Sequence, residues 1–141
     1  MTTGIFLDTS ILVRLFDDDE PVKQAAVRSL IGDVDGPPLV ISAQVLAEFV
    51  HIAGSEMAHP LSAVTIRRVL VDLLELQVVP TDVDLILGAI DLVNDYGLRM
   101  RDALILQAAA TSACALLLTE VLTHGMCVSG VSIEDLDSQQ L

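Results

Sequence analysis

Three carboxylates stand where the chain changes character. Asp8 follows the apolar run Gly4-Ile5-Phe6-Leu7 and precedes Thr9-Ser10, which open a helical pattern. An acid at the junction of a buried strand and a helix sits at the rim of an α/β sheet, where such folds place their chemistry. Glu48 lies in Val45-Leu46-Ala47-Glu48-Phe49-Val50-His51-Ile52, three residues after Val45 and four before Ile52. On a helix those offsets make it their neighbour, so its carboxylate borders an apolar stripe and needs a partner. Asp102 opens the run Ala103-Leu104-Ile105-Leu106-Gln107-Ala108-Ala109-Ala110.

Carboxylates gathered from distant segments suit a hard cation, Mg²⁺ or Mn²⁺, which takes oxygen ligands and keeps several waters. Three acids crowded together without a cation repel one another, so their convergence implies a metal. The chemistry such a centre supports is phosphodiester hydrolysis, in which the cation activates water and stabilises the developing phosphate charge. Each acid also has a plainer role. Asp8 and Asp102 can cap helices, and Glu48 can pair with an arginine or an amine. His51, His59 and His124 have no mutual spacing that suggests a metal site.

The elements that must position these acids alternate in type. Strands are expected at Gly4–Leu7, Leu39–Ser42, Leu76–Val79 and Ala115–Leu118, with a weaker one at Cys127–Ser129. Helices are expected at Ser10–Phe16, Val22–Ile31, Ala43–Ala53, Ser62–Leu74, Asp82–Asp95 and Asp102–Ser112. Strands apolar on both faces belong to a sheet covered by helices on each side, so the fold class is α/β with a mostly parallel central sheet of four to five strands.

The 141 residues suit one domain, spanning 1–141. Hydrophobic residues make up 52% and aromatics only 3%, which predicts a core of Leu, Val, Ile and Ala. No apolar run approaches the roughly 20 residues that cross a bilayer, and the N-terminus lacks a basic segment followed by a long apolar stretch. A cytoplasmic protein with no membrane partner is expected. Cys114 and Cys127 lie in apolar stretches and are read as free thiols acting as small hydrophobes.

Seven Lys and Arg against twenty Asp and Glu give a formal charge of −13, unusual for a chain that holds RNA unaided. Metal ions with a local basic patch, or a basic partner, are needed to offset that field. Asp17-Asp18-Asp19-Glu20 and Glu134-Asp135 with Asp137 read as solvated loop and tail charges. Arg14 and Arg67-Arg68 read as solvated or interface charges, whereas Arg99 and Arg101 can contact RNA phosphates or pair with Asp102 and nearby acids. Thr119, at a strand end, can hold a water or a phosphate oxygen, or cap a turn.

Four segments together carry a family resemblance: Ile5-Phe6-Leu7-Asp8-Thr9-Ser10-Ile11-Leu12, Ile41-Ser42-Ala43-Gln44-Val45-Leu46-Ala47-Glu48-Phe49, Tyr96-Gly97-Leu98-Arg99-Met100-Arg101-Asp102-Ala103-Leu104-Ile105, and Leu117-Leu118-Thr119-Glu120. In this order they resemble the motifs of the PIN domain family, and more narrowly the VapC-type toxins of bacterial toxin–antitoxin modules. The resemblance implies a Rossmann-like three-layer α/β/α sandwich. It implies a Mg²⁺- or Mn²⁺-dependent endoribonuclease that cuts structured RNA such as transfer or ribosomal RNA, with Asp8, Glu48 and Asp102 as metal-binding and catalytic acids. Thr9, Ser10, Thr119 and Glu120 fall in supporting positions. The partners it implies are an RNA substrate, a second copy in a homodimer, and a basic cognate antitoxin in a heterotetramer or larger complex.

Two positions depart from the pattern. Where the family usually completes its acidic site with an Asp after the motif of Leu118-Thr119-Glu120, this chain has Val121. Valine holds neither a metal nor its water, so a second-metal or water-positioning role at that point is lost or moved; Glu120 can substitute only if the strand end is twisted or bulged, and the alternative is a PIN-fold RNA-binding or regulatory protein with weak or lost nuclease activity. Neighbouring strand residues point to opposite sides, which works against Glu120. Ser10 replaces a common Asn, and its hydroxyl can still bind a water or the helix start.

Overall fold

In the computed structural model, which describes residues 3–137, short apolar segments form the central strands of a sheet. The order is β1 (Gly4–Leu7), α1 (Thr9–Leu12) with a 3₁₀ turn at Val13–Phe16, α2 (Pro21–Gly32), β2 (Leu39–Ser42), and α3 (Ala43–His51) with a π-helical turn at Ile52–Glu56. Then follow α4 (Ala63–Leu73), β3 (Gln77–Val79), α5 (Val83–Tyr96), α6 (Met100–Thr111), β4 (Cys114–Leu118), β5 (Cys127–Val128) and β6 (Val131–Glu134). The sheet order is β3-β2-β1-β4-β6-β5, with every pairing parallel except the β5–β6 hairpin.

The chain moves outward from β1 through β2 to β3, then crosses back to β4 on the other side of β1. Right-handed crossovers in opposite directions require α1–α4 on one face and α5–α6 on the other. Between β1 and β4 the direction of winding reverses, and the crevice beyond their carboxyl ends is where such sheets bind ligands. The β1–β4 register pairs Leu7 with Leu118, so the residues that follow, Asp8 and Thr119, leave the sheet side by side. An Asp8 N–H to Leu118 carbonyl bond of 3.0 Å extends the pairing by one step.

Phe6, Leu7, Ile11, Ile41, Phe49 and Leu117 are fully buried in the core. On α6, Ala103, Ala108 and Ala109 are also fully buried, and such small side chains let a helix lie close to a sheet. The α6 backbone therefore enters the molecule at a fixed depth, carrying Asp102 with it. Phe16 and Phe49 pack with ring centroids 5.9 Å apart and planes tilted by 53°, joining the turn after α1 to α3.

Several expectations change. A sixth strand, β6, occupies a stretch read as acidic tail. There Val131 and Ile133 are buried while Ser132 and Glu134 are less so, the period-2 pattern of a strand. Glu134 thus belongs to the sheet rather than to a solvated tail, and its carbonyl accepts the Thr119 N–H at 3.0 Å. The first helix begins at Thr9 and tightens to 3₁₀ at Val13, and the third widens at Ile52. Cys127 is exposed rather than packed as a small hydrophobe, whereas Cys114 is buried; both thiols are free. Among the described residues no helix is long and apolar enough to cross a membrane.

Gly97 ends α5 in the left-handed conformation, φ 66° and ψ 27°, and turns the chain toward the start of α6. Nothing lies within 4 Å of where its Cβ would stand, so any cost of a side chain there is conformational. Gly97→Ala is expected to lower unfolding free energy by about 1 kcal/mol, measured by urea denaturation. An unchanged midpoint would show that this turn is not confined to the left-handed region.

Candidate metal centre

Asp8 ends β1 and is also the N-cap of α1, with extended backbone at φ −74° and ψ 161°. Its Oδ1 accepts the Thr9 N–H at 2.7 Å, and its Oδ2 accepts the Thr119 hydroxyl at 2.6 Å. The Ser10 hydroxyl lies 3.3 Å from the same Oδ2. Cap and candidate ligand are therefore one residue, and it is fully buried. Those hydrogen bonds fix the orientation of its carboxylate.

Thr119 and Ser10 serve Asp8 rather than solvent. With its proton on Asp8, Thr119 Oγ1 accepts the Val121 N–H at 3.1 Å, while Ser10 Oγ accepts the Glu120 N–H at 3.0 Å. Both hydroxyls thus pin the turn after β4 to the start of α1, and Thr119 is buried. Thr9 contributes its backbone; its own Oγ1 is buried without a hydrogen-bond partner among the described residues.

Glu48 rides on α3, whose start is fixed by Ser42 Oγ accepting the Val45 N–H at 3.2 Å. Its carboxylate is 30% exposed, at the lip of the crevice. Gln44 one turn earlier donates from Nε2 to Glu48 Oε1 at 3.3 Å and to the Arg101 carbonyl at 3.2 Å. Gln44 thus ties α3 to α6. Gln44 is not among the site residues expected from the sequence, although its i, i+4 offset from Glu48 places the two on one helix face.

Asp102 is buried but does not cap its helix: α6 begins at Met100 with Arg99 as an uncapped N-cap, and Asp102 lies in the first turn. There the macrodipole still favours its negative charge. Its Oδ2 accepts Arg99 Nε at 3.0 Å, with Arg99 70% exposed at the rim.

One guanidinium joins all three acids. Arg101 donates from Nη2 to Asp8 Oδ1 at 2.6 Å, from Nε to Glu48 Oε2 at 3.0 Å, and from Nη1 to Asp102 Oδ1 at 3.2 Å and Asp8 Oδ2 at 3.4 Å. Burial works against its charge, but the bonds and charges of Asp8 and Glu48 outweigh that and hold its pKa above the ordinary arginine value. Arg101, expected to contact phosphate or to pair with Asp102 and nearby acids, here binds every candidate ligand.

Among the described residues, no three His, Cys, Asp or Glu side chains surround a common point able to take a metal as they stand. The point that Asp8, Glu48 and Asp102 share is the guanidinium itself. Their donors are hard oxygens already gathered around a cation, which suits Mg²⁺ or Mn²⁺ in kind once that guanidinium leaves.

Glu120 does not join the three. Its carboxylate takes a two-pronged bond from Arg14, through Nε at 3.1 Å and through Nη2, and lies 3.6 Å from Lys23 Nζ. Arg14 also reaches Asp17 at 2.6 Å. Its pKa is raised, first by the bond to Glu120 against the opposing effect of burial. Arg14 is therefore no solvated charge: its planar fork matches a carboxylate and takes Glu120 away from the crevice. Val121 stands 55% exposed in the turn and offers no oxygen from its side chain.

No curated protein sequence matches the chain. Solved structures with the same fold include the Mycobacterium tuberculosis VapC20, a sarcin-ricin loop cleaving toxin, at 18% identity and a TM-score of 0.63, covering 80% of this chain and 86% of that one. A chain of a toxin–antitoxin complex from Klebsiella pneumoniae matches at 23% identity and TM-score 0.65, over 90% of this chain and 94% of the other. A chain of VapBC2 from Rickettsia felis, bound to a promoter DNA fragment, matches at 16% and 0.64, over 94% and 98%. The PIN domain model matches residues 5–120, a span that contains β1 with Asp8, the helices bearing Glu48 and Asp102, and the strand end at Thr119, and the chain belongs to the PIN domain family.

Proposed function

We propose that this protein is a Mg²⁺- or Mn²⁺-dependent endoribonuclease of the VapC toxin type, acting as a single domain over residues 1–141 in the cytoplasm. The observation that carries the reading is the gathering of Asp8, Glu48 and Asp102 around the Arg101 guanidinium, at the carboxyl ends of the strands where winding reverses. The PIN fold and the toxins that share it supply the reaction class.

In this reading Asp8 is the principal metal ligand, oriented by the Thr9 N–H and the hydroxyls of Thr119 and Ser10. Asp102 provides the second carboxylate, held by the first turn of α6. Glu48, at the lip, provides the third and faces the solvent from which substrate arrives. When bound, the metal supplies Lewis-acid activation of water and of the scissile phosphate. Arg99 is the proposed contact for an RNA phosphate, a reading supported by its exposed side chain beside Asp102 in a molecule whose charge otherwise repels RNA.

The same acidity favours a basic antitoxin as the silencing partner, through steering and charge complementarity. Toxin–antitoxin complexes among the structures sharing this fold support that partner; with it we propose a homodimer that assembles into a heterotetramer or larger complex. A second reading, a PIN-fold RNA-binding or regulatory protein with little or no nuclease activity, is favoured by Val121 and by the commitment of Glu120 to Arg14.

Purified protein freed of antitoxin, incubated with Mn²⁺ or Mg²⁺ and a pool of small structured RNAs, separates the two. The enzyme reading expects cleavage that EDTA abolishes and that Asp8→Asn reduces by about 10²-fold or more, the loss of several kcal/mol of charge stabilisation. An intact RNA pool with folded protein and either metal would overturn the enzyme reading; cleavage that survives Asp8→Asn would remove Asp8 from the reaction.

Glu120 is expected to matter for stability alone. Glu120→Gln is expected to lower unfolding free energy by about 1–2 kcal/mol, because a partly buried two-pronged pair loses its charge. Mn²⁺ affinity measured calorimetrically is expected to stay the same. A lost metal site in a stably folded variant would show that Glu120 replaces the missing fourth acid.

A further inference from the structure

The family's chemistry needs a divalent cation among Asp8, Glu48 and Asp102, yet this chain carries its own cation there. Arg101 spends Nε, Nη1 and Nη2 on those three residues, one nitrogen or more to each. A purely structural ion pair needs one acid; this fork spans the whole candidate ligand set. Two cations cannot share such a seat without strong mutual repulsion at close range. The guanidinium also has a way out, since its side chain is 27% exposed and projects from the first turn of α6, beside Arg99.

We propose that Arg101 is an internal counter-cation whose departure is the condition for metal entry, so that metal binding and release of Arg101 are one exchange. The proposal rests on the metal-centre reading above. In the metal-free protein Arg101 neutralises a buried carboxylate that would otherwise stand uncompensated, and so preserves the fold. In the metal-loaded protein it moves to the crevice mouth, next to Arg99, where a guanidinium meets phosphate oxygens. The metal must therefore compete with a tethered rival, and its affinity is set as much by Arg101 as by the ligands.

Calorimetric titration with Mn²⁺ tests the exchange in folded protein. Arg101→Met keeps an apolar stem and removes the charge, and it is expected to bind Mn²⁺ roughly tenfold more tightly or better than the unmodified chain. It is also expected to melt at a lower temperature without metal and to recover with it. Asp8→Asn added to Arg101→Met is expected to abolish the tight site, which separates it from Mn²⁺ held by the acidic surface. Arg99→Met, the neighbouring exposed partner of Asp102, is expected to change the affinity far less.

Equal Mn²⁺ affinities in folded Arg101→Met and the unmodified chain would overturn the exchange while leaving the metal centre intact. No specific Mn²⁺ binding by either would overturn both. Should Arg101→Met fail to fold, the unmodified protein carries the test through the Nε–H resonance of Arg101, assigned by its loss in Arg101→Lys. Mg²⁺ is expected to shift that resonance and speed its exchange with water; a resonance unmoved at saturating Mg²⁺ would overturn the proposal.

Discussion

A carboxylate with no access to water must be compensated, and the burial of Asp8 is the constraint around which the rest of this molecule is arranged. Removing an ion from water costs several kcal/mol even after relaxation, and excellent geometry with further hydrogen bonds is needed to offset it. Asp8 has both: the Thr9 N–H, the Thr119 hydroxyl and the guanidinium of Arg101, all within 2.7 Å. Each comes from a different stretch of chain. Thr119 needs β4 beside β1, and Arg101 needs α6 seated across the sheet.

That requirement explains features that otherwise look separate. The alanines of α6 bring its backbone close to the sheet, and Gly97 turns the chain so that Arg99, Arg101 and Asp102 arrive together at the crevice. Gln44 fixes α6 to α3 and holds Glu48 at the lip. Arg14 withdraws Glu120, the acid nearest in sequence to the missing fourth position. The result is three acids of graded depth, two buried and one at the mouth, with two arginines on the solvent side.

Much of this was legible in residue types and order. Asp8 after an apolar run, Glu48 against an apolar stripe and Asp102 at the start of an apolar helix were found from local pattern, and the structure brings all three to one arginine. The β1 and β2 boundaries also followed from apolar runs bounded by turn residues. Contacts set by long-range direction of side chains were not legible. That Arg101 reaches Asp8 and Glu48, or that Arg14 meets Glu120 across the fold, depends on crossover geometry that no local spacing encodes. Strand β6 was hidden for another reason: with Val131 and Ile133 separated by Ser132 and followed by acids, it carries too short an alternation to stand out from a polar tail.

The three carboxylates around Arg101 are proposed to form a divalent-metal centre. Diffraction from crystals soaked in Mn²⁺, with data collected at the manganese edge, tests it most directly. An anomalous peak is expected among Asp8, Glu48 and Asp102, with the Arg101 guanidinium displaced toward the crevice mouth. Anomalous peaks only elsewhere on the acidic surface, with Arg101 still bonded to Asp8, would contradict it.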